Sequence, residues 1–109
     1  MDRQEHLITI LGEECSELHQ ELCKALRFGL NDREPGNLLD NSQKIFSEFN
    51  DLMAMVEMVN ESVKDTSFDK CKATYGDGGI MYIDKDMIEA KKEKVERFLS
   101  YSKERGTLD

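Results

Sequence analysis

Between Ile45 and Val63 the apolar side chains Ile45, Phe49, Leu52, Val56, Val59 and Val63 recur in steps of four, three, four, three and four. At 3.6 residues per turn they share one face of a helix, whereas a strand would send members three apart to opposite faces. The same alternation lets helices interlock in left-handed bundles. An apolar stripe of this kind needs a neighbour to cover it, so the segment commits the chain to helix-on-helix packing. The helix is expected to begin near Asp40, whose side chain can cap free N–H groups while Gln43, three residues on, reaches back in a capping box.

A first helix is expected from about Arg3 to Phe28, where Leu7, Leu11, Cys15, Leu18, Leu22 and Ala25 keep helical spacing and Gly29 supplies a stop. Residues 30–39 hold Asn31, Asp32, the only proline (Pro35) and Gly36, and read as a loop. From Asp65 to Ile83 the periodicity lapses. Tyr75-Gly76-Asp77-Gly78-Gly79 followed by Ile80-Met81-Tyr82-Ile83 suggests a tight turn feeding a short extended piece. A third helix is expected to start at Asp84 or Asp86 and to run through Met87, Ile88, Val95, Phe98 and Leu99 to about Gly106. The fold class is therefore all-α, an antiparallel helical bundle formed by a single domain over residues 1–109. A chain of 109 residues builds only a modest core, so a four-helix core completed between chains is expected, in a homodimer or homotetramer.

The formal charge of −8 argues against a nucleic-acid groove, which needs surplus Lys and Arg. The three cysteines, Cys15, Cys23 and Cys71, form no C-x-x-C pair and fit free thiols in a reducing compartment. No apolar run is long enough to cross a bilayer, and the opening stretch lacks a signal-peptide pattern. The expected location is the cytoplasm, or the host cytoplasm for a viral protein, with no membrane partner.

Some carboxylates occupy unusual places. On a helical wheel centred on Leu11, Glu14 falls about 60° and Glu17 about 120° from the middle of the apolar stripe. In the second helix Glu48 and Asp51 take the same offsets, about 60° and 120°, on the corresponding flank. Glu14 and Glu48 each border a seam, where a carboxylate is costly to bury unless a positive charge meets it. Residues three apart are neighbours on a helix, so each pair presents its oxygens one turn apart. Two facing pairs would form a cage of four carboxylates suited to a hard cation, magnesium or manganese. Neither His6 nor His19 has a glutamate three residues before it, which disfavours a helical di-iron site.

The run Glu13-Glu14-Cys15-Ser16-Glu17, an E-E-x-x-E motif, and Glu48-Phe49-Asn50-Asp51, an E-x-x-D motif, together resemble the signature of MazG-like nucleotide pyrophosphohydrolases. The similarity extends through Lys24-Ala25-Leu26-Arg27-Phe28-Gly29 and Lys91-Lys92-Glu93-Lys94-Val95 and covers most of the chain, which resembles the compact, stand-alone, phage-type members. One departure is the 30 residues between Glu17 and Glu48, a longer spacing than is usual, attributable to the Asn31 to Leu39 loop. The resemblance implies an all-α NTP pyrophosphatase-like fold in which Glu14, Glu17, Glu48 and Asp51 hold two or more magnesium ions that bridge a triphosphate. Glu13 fills the leading acidic position of the motif but points away on the wheel, and is secondary.

The expected activity converts a (d)NTP, with a leaning to deoxynucleotides, into the monophosphate and pyrophosphate. One carboxylate, Glu17 or Glu48, is available to take the proton of the attacking water. Lys24, two turns beyond Glu17 on nearly the same face, Arg27, and Lys91 with Lys94 on the third helix are candidates for the phosphates. Lys91 and Lys94 can equally pair with Glu93 and Glu96 on a solvated face. Asn60 is a candidate for sugar or base. Met53, Met55, Met58 and Met81 can line an adaptable pocket, although ordinary core filling is the better account. Two other functions compete: a non-catalytic acidic interaction module, and a nucleotide sensor that binds without turnover.

Overall fold

The computed structural model describes residues 1–64 and 79–109. Within them the chain forms three helices, α1 (Arg3–Phe28), α2 (Asn41–Lys64) and α3 (Lys85–Glu104). No strand occurs among the described residues.

Each helix starts where local chemistry satisfies its free N–H groups. At α1, Asp2 Oδ1 accepts from the Glu5 backbone N–H at 2.8 Å, and Glu5 Oε2 accepts from the Asp2 N–H at 2.9 Å. The expected capping box at α2 is present: Asp40 Oδ1 accepts from Gln43 N–H and Gln43 Oε1 accepts from Asp40 N–H, both at 2.9 Å. Asp84 caps α3 through the Met87 N–H at 3.0 Å. The helix α1 ends at Gly29, whose φ of 99° is strained for any residue with a Cβ.

The link between α1 and α2 is fastened at its base. Asn41, buried at the start of α2, donates its side-chain amide to Gly29 O at 2.8 Å and its backbone N–H to Asp32 O at 2.9 Å. Ser42 N–H adds a bond to Leu30 O at 2.9 Å. These bonds turn the chain back, and α2 runs antiparallel along α1, so that Gln4 meets the Ser62 carbonyl at the far end.

The core between the pair gathers at that far end. Leu7, Met55, Val59 and Val63 form it, Leu11 and Met81 lie against it, and Val59 is fully buried. The seam foreseen in the sequence is covered only in part. Cys15 and Leu22 on α1 and Phe49 on α2 are exposed, while Met55, which is not in the 4-3 stripe, is buried. Among the described residues α1 and α2 are each other's one extensive neighbour, so only the flanks turned to one another are covered, and the rest of each stripe is half-buried or exposed.

Residues 80–83, where an extended piece was expected, adopt no regular structure. The turn over Tyr75 to Gly78 lies outside the described residues. Asn60 holds this segment to α2: its Oδ1 accepts from the N–H groups of Ile80 and Met81 at 3.0 and 2.9 Å, and its amide donates to Met81 O at 2.8 Å. Gly79 is required beside it, because a Cβ there would sit 2.7 Å from the Asn60 side chain. Beyond this clamp α3 buries no residue and has no extensive helix contact among the described residues. The radius of gyration is 18.1 Å, against about 13 Å for a compact domain of this length. Among the described residues no helix is long and apolar enough to cross a membrane.

Asn41→Ala removes a buried donor, leaves the Gly29 carbonyl without it, and is expected to destabilise the protein by about 1–3 kcal/mol. Urea unfolding checks this, and an unchanged midpoint would mean that the loop base contributes nothing to stability.

Candidate metal centre

Because α1 and α2 run antiparallel, the middle of one faces the middle of the other. Glu14 and Glu17 sit on adjacent turns of α1, and Glu48 and Asp51 on adjacent turns of α2. Glu14, Glu17 and Glu48 converge so that each offers an oxygen and these oxygens lie within 4.8 Å of one another. Asp51 is exposed and stands outside this trio, but its charge acts on both Glu14 and Glu48. Glu13, the leading acidic residue of the motif, is exposed and outside the cluster.

Glu14 Oε2 and Glu48 Oε2 are buried and have no hydrogen-bond partner. Burial, followed by the charge of Glu17, pushes the Glu48 carboxyl up to about 7 from its ordinary 4.5. Glu14 shifts in the same direction, again through burial first and then through the charges of Glu17 and Asp51. Carboxylates crowded this closely repel one another when ionised, and either protons or a bound cation relieve that repulsion.

A cleft of about 350 Å³ adjoins the cluster. Glu48 lines it together with Ser47 and Lys44 from α2, Glu21 and Lys24 from α1, and Glu34, Asn37 and Leu39 from the connecting loop. Lys24 Nζ lies 3.4 Å from Glu21 Oε1 and 3.6 Å from Glu34 Oε1, and Lys44 Nζ lies 3.6 Å from the same Glu34 oxygen. Glu21 beside it, with Glu34 as a lesser cause, holds the Lys24 ammonium pKa above its ordinary value.

Of the expected phosphate-binding residues, Lys24 is thus in the cleft. Arg27 is exposed and stacks its guanidinium on Phe28, 5.5 Å from the ring centroid, without lining the cleft. Asn60, offered to sugar or base, is occupied by the backbone of residues 80–81. Lys91 and Lys94 are exposed on α3, and within one chain α3 does not bring them to the carboxylates. Lys91 instead borders a separate cleft of about 410 Å³ with Tyr82, Ile83 and Met87. Among the methionines, Met55 is core, whereas Met53 and Met81 line an apolar cleft of about 440 Å³ with Val56, Tyr82 and Ile83.

Lys44, Glu21 and Glu34 were missed in the sequence. Two of them carried a signal: Lys44 is one turn before Glu48, and Glu21 is one turn after Glu17, each on its partner's face. Glu34 carried none, because a loop has no periodicity. No family model, curated protein or solved structure matches the chain.

A carboxyl whose folded-state value lies above its unfolded value binds extra protons in the fold between the two, here from about 4.5 to about 7. Its contribution to stability is therefore fully present below the lower value and is lost as pH rises through the upper one. In buffer free of divalent ions, Tm is expected to fall across that window in the wild type and to fall less in Glu48→Gln. Added magnesium should restore Tm at pH 8 in the wild type more than in the variant. Melts that are flat with pH in both proteins would refute this electrostatic picture of the cluster.

Proposed function

We propose that the chain is a divalent-cation-dependent nucleoside triphosphate pyrophosphohydrolase of the MazG-like kind. The observation that carries the reading is the convergence of Glu14, Glu17 and Glu48 from two helices beside a cleft lined with lysines. A non-catalytic acidic module would spread its carboxylates over an outer face. Here three of them converge, and two, Glu14 and Glu48, are partly desolvated.

The donor set fits magnesium or manganese: every donor is an oxygen, and Glu14 and Glu48 each keep a buried oxygen free of hydrogen bonds. Glu14, Glu17 and Glu48 would hold such ions, with Asp51 completing the set from the rim. Bound divalent ions would neutralise the triphosphate and supply Lewis acidity at the α-phosphate.

The chain's own side chains account for the remaining work. Lys24 and Lys44 in the cleft meet the β- and γ-phosphates and stabilise the pyrophosphate that leaves. Glu17, open to solvent, or Glu48 accepts the proton of the attacking water. The water oxygen bonds to the α-phosphorus, the bond from that phosphorus to the bridging oxygen breaks, and monophosphate and pyrophosphate result. The apolar cleft beside Met53 and Met81 offers a surface for a nucleobase, and deoxynucleotides are the favoured class. A second copy of the chain would cover the exposed apolar faces of α1, α2 and α3 and would bring Lys91 and Lys94 to the phosphates of a neighbour, in a dimer or tetramer.

Pyrophosphate release from a panel of NTPs and dNTPs with magnesium tests the reading. One or a few nucleotides should be cleaved, and Glu48→Ala should lower the rate more than about a hundredfold. No release above that variant, with magnesium or with manganese, would leave an acidic binding module as the better account.

A further inference from the structure

The cleft beside the carboxylates holds a third acidic residue that the proposed chemistry does not use. Glu34 comes from the loop between α1 and α2, and the ammonium groups of Lys24 and Lys44 both approach one of its oxygens, Oε1, at 3.6 Å. An oxygen between two ammonium groups is in the position that a phosphate oxygen takes. Both contacts exceed the roughly 2.7–2.9 Å of a charge-assisted hydrogen bond. Glu34 is therefore held by attraction across a gap and not by a formed bond.

The exposures of the partners differ. The Lys44 side chain is only 12% exposed, whereas that of Glu34 is 55% exposed. The Lys44 side chain is thus largely covered, while the Glu34 carboxylate beside its ammonium stays accessible from the solvent side. Glu34 also precedes Pro35 and Gly36 in a turn closed by Asn37 N–H to Glu34 O at 3.0 Å, while Asn41 fastens the loop at its base. Rotation of the Glu34 side chain is enough to remove its carboxylate, and no backbone bond has to break.

We propose that Glu34 is a built-in, displaceable occupant of a phosphate subsite formed by Lys24 and Lys44, and that it weakens the hold of this subsite on pyrophosphate. The natural identity of the ligand rests on the pyrophosphohydrolase reading above. Pyrophosphate carries the same sign of charge as Glu34 and more oxygens, so it can reach both ammonium groups at bonding distance where a single carboxylate does not. Glu48 lines the same cleft, so a ligand seated there abuts the carboxylate cluster. The subsite is thus self-screened: before a ligand arrives, the lysines are partly neutralised, and an incoming phosphate must first displace Glu34.

Calorimetric titration of inorganic pyrophosphate, in magnesium buffer, into the full-length wild type, Glu34→Gln, Lys44→Gln and the double variant tests this. Glu34→Gln should tighten binding about three- to tenfold, the effect of releasing two partly exposed ion pairs. Lys44→Gln should weaken binding, and the gain from Glu34→Gln should shrink in the Lys44→Gln background. Unchanged or weaker binding in Glu34→Gln overturns the inference, as does an equal gain in both backgrounds, which would reflect net charge alone. Binding too weak to measure in all four proteins also overturns it. Turnover is not needed for this measurement. A protein that shows the expected pattern but cleaves no nucleotide keeps the subsite and loses the hydrolase reading, whereas cleavage without the Glu34→Gln gain removes only the subsite proposal.

Discussion

The antiparallel pairing of α1 with α2 is held at its two ends by different chemistry. At the loop end the grip is polar: the Asn41 amide on the Gly29 carbonyl, with the Asp40 and Gln43 capping box beside it. At the far end it is apolar, where Leu7 packs with Met55, Val59 and Val63. Hydrogen bonds are directional and set the register, whereas apolar burial is not directional and mainly supplies free energy. Between these two clamps the middles of both helices are brought face to face. Glu14, Glu17 and Glu48 meet there because neither end is free to slide.

That meeting works against the fold when no cation is present. Burial first, and then the closeness of the three carboxylates, raises the pKa of Glu14 and Glu48, so the hairpin carries an electrostatic load at neutral pH. A small core opposes it. Stability and site chemistry are therefore linked, and whatever neutralises the cluster also tightens the pairing of the helices. The lysines do not relieve this load directly, because Lys24 and Lys44 are engaged with Glu21 and Glu34 at the loop end of the cleft.

The helix α3 stands apart from this balance. Among the described residues, the segment that leads into it is held to the hairpin by three hydrogen bonds between Asn60 and residues 80–81, over a glycine that leaves room for them, and by Met81 against the core. Met87, Val95, Phe98 and Tyr101 remain exposed along it, as do Phe46 and Phe49 on α2 and Leu22 and Leu26 on α1. Exposed apolar side chains on this scale are the kind of surface that a second copy of the chain, as proposed above, would cover. A function that needs cations from α3 near the carboxylates would then require another copy of the chain.

The sequence by itself determined the helices and the faces on which their key residues lie. The span Arg3–Phe28 with its stop at Gly29 and the Asp40 and Gln43 cap agree with the structure, and of the two starts left open for the third helix, Asp84 and Asp86, the structure uses Asp84; all depend on bonds between residues a few positions apart. The shared phase of Glu14 with Glu17, and of Glu48 with Asp51, follows from 3.6 residues per turn. Tertiary structure alone decided what lies opposite what. Periodicity fixes the angle of a side chain about its own helix, but it carries no information on how far one helix slides along another or where a loop travels. Hence the trio of carboxylates within 4.8 Å, the exposure of Phe49, the burial of Met55, the use of Asn60 as a clamp and the carriage of Glu34 to Lys24 and Lys44 emerge only when the chain has folded back on itself.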